Sequence, residues 1–238
     1  MNISKDYMRL SRKEDLSVNK RCVKTSELFD CQIEWLKPYF EAATYPWELL
    51  PKIKEILAEL LKNPPKGYTF YSDDVLIGEN VKIAPTATIK GPAIIGSDTE
   101  IRPGAFFRGQ IIIGPRSVIG NSSELKNCLL LEHVQVPHYN YVGDSILGNN
   151  SHMGAGSICS NLKSDGKNIV IHGDEDYETG LRKIGGILGD KADIGCGSVL
   201  NPGTVVGKNT QMYPLTMARG VYPENSIVKG TKVWVDKR

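Results

Sequence analysis

From Ile77 onward, an apolar residue opens a six-residue phrase that recurs at Ile83, Ile89, Ile95, Ile101, Phe107, Ile113, Ile119, Leu125 and Leu131. The fifth place of each phrase is usually small or β-branched, as in Val81, Ala87, Ala93, Thr99, Ala105, Ile111, Ser117 and Ser123, and Gly or Pro recurs between phrases. A unit this short buries nothing alone, so copies must stack, and hexapeptide periodicity is a sequence signature of a parallel β-helix. Three phrases make one triangular coil of about 18 residues with the leading apolar residues stacked down its interior. The phase slips after Leu131, where Pro137-His138-Tyr139-Asn140 read as extra residues before Tyr141, Leu147 and Met153 restore it. That slip predicts a loop bulging from one corner, and loops on a rigid scaffold are where function concentrates. Phrases return at Leu188, Ile194, Leu200, Val206 and Met212, which brings the expectation to six coils.

The flanks have other patterns. Residues 1 to about 24 are polar and mixed in charge and read as an irregular arm. A short apolar segment follows, with Leu28, Phe29, Ile33, Trp35, Leu36, Tyr39 and Phe40; a second opens at Pro46 and carries Leu49, Leu50, Ile53, Ile56, Leu57, Leu60 and Leu61 at helical spacing. Asn63-Pro64-Pro65-Lys66-Gly67 ends it. The open end of a β-helix exposes interior side chains and unpaired backbone, so these helices are expected to cap the first coil, with Phe29, Trp35, Tyr45 and Trp47 as lid residues. The predicted layout is an arm and helical cap over 1–68 and a β-helix over 69–238 with a projecting arm at 159–187. Beyond Met217 the pattern fades into a terminal strand or tail.

Charge and cysteine usage narrow the classes. A formal net charge of +2, from 29 basic and 27 acidic residues, gives no footprint for nucleic acid or an anionic membrane. Five widely spaced cysteines with no CxxC indicate neither a disulfide framework nor a zinc cluster, and Cys128, Cys159 and Cys196 are expected to pack as small apolar residues. With neither an apolar signal segment nor 18 consecutive apolar residues, the expected location is the cytoplasm.

Within the repeats, the run His138 to Gly148, then His152-Met153-Gly154-Ala155-Gly156-Ser157 and Asn161, resembles the acetyltransferase domain of the bifunctional enzymes that make UDP-N-acetylglucosamine. Ile101-Arg102-Pro103-Gly104-Ala105 and Gly120-Asn121-Ser122-Ser123-Glu124-Leu125-Lys126 fit the same domain, and the resemblance covers roughly residues 70 to 230. It implies a left-handed β-helix, a homotrimer with each active site between subunits, acetyl-CoA as acyl donor, an amino-sugar phosphate such as glucosamine 1-phosphate as acceptor, and no metal. It assigns the general base to His138, phosphate contacts to Arg102 and Lys126, sugar contact to Tyr141, and acyl-CoA contacts to Asn161 and Cys196. The chemistry suits these types: an amine attacking a thioester must lose a proton, which a neutral imidazole can take, and a phosphate needs fixed cations.

Some residues depart from that pattern. His152 stands in the place of a sugar-contacting asparagine, and Leu162 in that of a tyrosine. An imidazole cannot reproduce an amide's donor and acceptor set, which leaves the acceptor sugar open. The long 159–187 segment resembles the arm of archaeal bifunctional sugar-phosphate enzymes. Residues 1 to 70 show no glycine-rich phosphate loop, so UDP-sugar formation from UTP is not expected of them.

Two rivals share the scaffold. The γ-type carbonic anhydrases hold zinc partly with histidines spaced like His133 and His138, His152 being the third available here. A non-catalytic trimeric scaffold or regulatory module is the other.

Overall fold

The structure, a computed structural model, describes residues 21–231 and 233–237; of the arm expected over 1–24, residues 1–20 lie outside them. The chain coils into a parallel β-helix of three faces. The first face stacks Val75–Ile77, Ala93–Ile95, Ile111–Ile113, Cys128–Leu130, Ser145–Leu147, Gly186–Leu188, Thr204–Val206 and Val221–Tyr222. The second face runs from Lys82–Ile83 to Ser226–Gly230, and the third from Thr88–Lys90 to Met217–Ala218. Seven complete coils and a partial eighth result, rather than six, because rungs begin at Val75, before the first phrase, and continue past Met217 through Tyr222 and Val228. The interior column of the second face (Ile83, Ile101, Ile119, Val136, Met153, Ile194, Met212, Val228) joins those of the other faces in one core.

The corner between the first and second faces repeats one device. Asn80, Asp98, Asn150, Asn209 and Asn225 sit there at φ of 52° to 58°. Asn and Asp tolerate this left-handed region better than other side chains, which accounts for the recurring Gly-Glu-Asn, Gly-Ser-Asp, Gly-Asn-Asn and Gly-Lys-Asn in the sequence.

The loop expected at Pro137–Asn140 does not bulge. Ile111 pairs with Cys128 and Cys128 with Ser145, so two successive coils are 17 residues long. Leu130, not Leu131, holds the interior place, and the residues are lost at Asn127 and Asp144 (φ 45° and 47°), where Glu124–Leu130 and Tyr141–Leu147 turn a corner as continuous strands. Two one-residue deletions had mimicked an insertion.

The helices do not cap the first coil. α1 (Thr25–Leu28), α2 (Lys37–Ala42), a 3-10 segment (Pro46–Lys52) and α3 (Ile53–Lys62) pack on the outside of the first face. Pro51 lies within the 3-10 segment, where it removes one backbone donor, and the α-helical ladder begins only at Ile53. The outward side chains Leu76, Ile94, Ile112, Leu129, Ile146, Ile187, Val205 and Val221 form one buried cluster with Leu28, Trp47, Leu50, Ile53 and Leu57. Strands apolar on both sides are buried on both sides, which is why this face reads as triplets such as Ala93-Ile94-Ile95 and Ile111-Ile112-Ile113.

The expected projecting arm lies flat. Its hairpin, Val170–His172 with Asp176–Glu178, inserts Ile169, Ile171 and Ile184 into that same cluster, and Tyr177 meets the stacked rings of Tyr45 and Trp47. At the far end, Val233–Asp236 returns antiparallel to Ser226–Gly230 and sets Trp234 edge-on to Tyr222, 5.8 Å between centroids.

Candidate active site

His138 ends the second-face strand Gln135–His138, directly at the edge with the third face. Its side chain is exposed, while its backbone is held from beneath by Asn140, which is 3% exposed. The Asn140 Oδ1 accepts from the His138 N–H (3.0 Å), and its Nδ2 donates to the carbonyls of Gly154 (2.8 Å) and Ser157 (3.2 Å). A buried amide used on both sides fixes the turn at low cost, whereas an unpaired one would be expensive. Between them Tyr139 adopts φ 50°, where the equivalent corner residues of other coils include Gly104, Gly156 and Gly197. Gly120 permits the tight stacking below, since a Cβ there would lie 1.5 Å from the Pro137 carbonyl oxygen.

Parallel register settles which expected residues meet. His138 pairs with Asn121 on the coil below, and above it the column continues through Ala155 to Cys196. Rungs lie about 4.8 Å apart, so Cys196 stands on the same edge about 10 Å from His138. It is exposed, contrary to the expectation that it packs as an apolar residue, whereas Cys128 and Cys159 are in the interior.

On the third face, Tyr141 and Asn161 come together. Asn161 Nδ2 donates to the Tyr141 hydroxyl (3.2 Å) and to Asp144, whose other oxygen accepts from Asn127 Nδ2 at 2.8 Å. Burial, and then the Asp144 carboxylate, raise the Tyr141 pKa, so the phenol stays protonated at neutral pH and can donate to a ligand. Asp144 was missed in the sequence because its corner was taken for mid-phrase.

Arg102 and Lys126 do not stack. Arg102 is on the second-face side of the edge, paired with Glu100 at 3.3 Å, while Lys126 is on the third face. The residue directly beneath Lys126 is Arg108, since Phe106 and Phe107 pair with Glu124 and Leu125. The signal was available: Arg108 and Lys126 are one full coil apart, and Arg102 is not. Arg108 is bonded to Glu124 at 2.7 Å, which raises its pKa further.

His152 lies outside this group. It opens its second-face strand above Gln135, and its Nδ1 meets Asp193 Oδ1 at 2.8 Å, holding the Asp193 carboxyl below its usual range. His133 occupies the opposite edge of the second face, bonded to Arg116. Five residues of strand, about 16 Å, separate it from His138, so one chain cannot bring both to one ion. Among the described residues no group of three or more His, Cys, Asp or Glu side chains is placed to share a metal.

The family model for the GMPPB C-terminal domain matches residues 89–175. The "Bifunctional protein GlmU" of Methanococcus maripaludis is 32% identical over 207 residues, which are 85% of this chain and 50% of that protein. The chain thus spans about half the length of that relative. A protein of Escherichia coli K12 named as an uncharacterized acetyltransferase, YaiX, is 30% identical over 202 residues, 79% of this chain and 87% of that one. The chain belongs to the hexapeptide-repeat acetyltransferase family. Among solved structures, the N-acyltransferase AntD of Bacillus cereus, in complex with dTDP and coenzyme A, overlays on the acetyltransferase at a TM-score of 0.40 with 18% identity, covering 73% of this chain and 92% of that one; so distant a likeness adds nothing to the argument.

Burial separates the thiols of the acetyltransferase. It pushes Cys159 up to about 12 and Cys31 to about 11, which leaves both protonated through the mildly alkaline range, while Cys196 faces solvent. Alkylation of the native protein with iodoacetamide at pH 8, followed by peptide mass spectrometry, is expected to modify Cys196 well before the other four. Equal labelling of Cys159 would contradict the interior placement of that coil.

Proposed function

We propose that this acetyltransferase moves an acetyl group from acetyl-CoA to the amino group of a phosphorylated sugar, with glucosamine 1-phosphate as the reference acceptor, in cytoplasmic synthesis of a nucleotide-sugar precursor of the cell envelope. The observation that carries this reading is the placement of His138: an exposed imidazole on a rigid edge, its backbone locked by Asn140, with Arg108 and Lys126 on the adjoining face. In this reading His138 takes the proton as the sugar nitrogen attacks the thioester carbonyl. The C–N bond forms, the C–S bond breaks, and coenzyme A departs as the thiolate, which a proton then neutralises. Lys126 and Arg108 hold the phosphate in ground and transition states alike, Tyr141 hydrogen-bonds the sugar, and the Cys196 column accommodates the acyl donor.

Large apolar side chains crowd the third face and its edge, with Leu215 83%, Met217 56%, Tyr213 49% and Ile158 37% exposed, while helices cover the first face. A closed homotrimer would bury them and bring a second subunit to the His138 edge. The scaffold-only reading has no use for a locked turn beneath an open imidazole.

His138→Ala is expected to lower kcat by about 10² to 10⁴ with little change in acceptor KM, the range for loss of a general base. Arg108→Ala and Lys126→Ala are expected to raise acceptor KM with smaller effects on kcat. His133→Ala, on the opposite edge, should leave acetyl transfer unaltered. Steady-state kinetics decide the matter: full activity in His138→Ala, or its loss in His133→Ala together with sensitivity to chelators, would favour zinc chemistry instead. Light scattering should report three chains of 26.2 kDa per particle, and a concentration-independent monomer would refute the assembly.

A further inference from the structure

The third face carries a third cation that the acceptor reading does not use. Lys90 pairs with Arg108 in the parallel register, and Arg108 lies under Lys126, so Lys90, Arg108 and Lys126 form one outward column on three successive coils. Their Cα atoms are therefore about 4.8 Å apart from rung to rung. Above Lys126 the column continues with Gly143 and Ser160, which are uncharged and small, so the positive charge is confined to the coils below the His138 edge. Beside Lys90, the half-buried Phe106 ring faces its ammonium at 5.4 Å, and Glu124 engages one nitrogen of Arg108. A guanidinium has five N–H donors, so this ion pair leaves most of the Arg108 fork for a ligand.

One phosphate needs no more than two of these cations. A pyrophosphate group has two phosphorus centres about 3 Å apart and oxygens extending beyond each, a span that matches three rungs better than two. Counting from the edge, a sugar whose amine reaches His138 would place its first phosphate at Lys126 and Arg108 and its second at Arg108 and Lys90. Phe106, one column over, offers an aromatic face at the same level as Arg108 for whatever the second phosphate carries.

We infer that the Lys90–Arg108–Lys126 column is a pyrophosphate track, and that the acceptor class is a diphosphate-linked amino sugar rather than a sugar monophosphate. This rests on the acyl-transfer reading for the identity of the acceptor, while the track itself is testable without any turnover. Lys90 is exposed and touches only Phe106 and solvent, so its replacement leaves the fold intact.

Isothermal titration calorimetry with inorganic pyrophosphate and, separately, orthophosphate tests it on the full chain. The wild type should bind pyrophosphate about tenfold or more tightly than orthophosphate, the scale of one charge-assisted contact. Lys90→Ala should abolish that preference while leaving orthophosphate affinity unchanged, Lys90→Arg should retain it, and Lys82→Ala, on the second face, should have no effect. Equal affinity of the wild type for the two anions, a preference that survives Lys90→Ala, or equal weakening of both by Lys90→Ala would each overturn the track. Loss of acetyl transfer in the His138 series is a separate readout, so failure of the track and failure of the acyltransferase reading remain distinguishable.

Discussion

Everything in this molecule depends on the coil-to-coil backbone ladder. Each rung gives its N–H and C=O groups to the rung above and below, as from Lys82 to Thr99 and Glu100 to Ser117, so the register is fixed and a side chain's neighbours are those one coil away. A slip of one residue would turn the interior column outward, and the burial of Ile101, Ile119, Val136 and Met153 forbids it. Side chains far apart in sequence therefore line up in straight columns. That is how His138 comes to share an edge with Cys196, and how Lys90, Arg108 and Lys126 come to share a face.

The three faces then take different roles according to what their outward columns carry. The first is apolar outside as well as inside, and it recruits the helices and the hairpin as a second layer. The second carries polar and charged residues, among them Glu100, Gln135, His152 and Asp193. The third divides along its length into a cationic stretch, a central strip with Tyr141 and Gly143, and an apolar stretch with Ile158 and Met217. The edge between the second and third faces is where an exposed base, an exposed thiol and a charge-bearing surface meet, and it is left open by the helical layer.

The architecture was legible in the sequence because a six-residue period has one economical packing. Its details were lost where two arrangements share one residue count. Two one-residue deletions at Asn127 and Asp144 shift the phase as a four-residue insertion does, so the corner was misplaced and Asp144 overlooked. The apolar triplets from Ala93 to Val206 signalled a face buried on both sides, yet helices beside a β-helix also suit a cap, and hydrophobicity does not say which apolar surface they cover. Arg102 drew attention through its flanking Pro-Gly-Ala, whereas position in the column is set by the 18-residue step, which selects Arg108. His138 and Tyr141 were found because the strand and turn around them are contiguous in sequence.

The central claim is that acyl transfer takes place at the His138 edge, and a crystal structure of the protein with coenzyme A tests it most directly. The account predicts the coenzyme A sulfur on the edge between the second and third faces, alongside the His138–Ala155–Cys196 column. Ordered coenzyme A with its sulfur at the opposite edge beside His133, or buried between the helices and the first face, would contradict it.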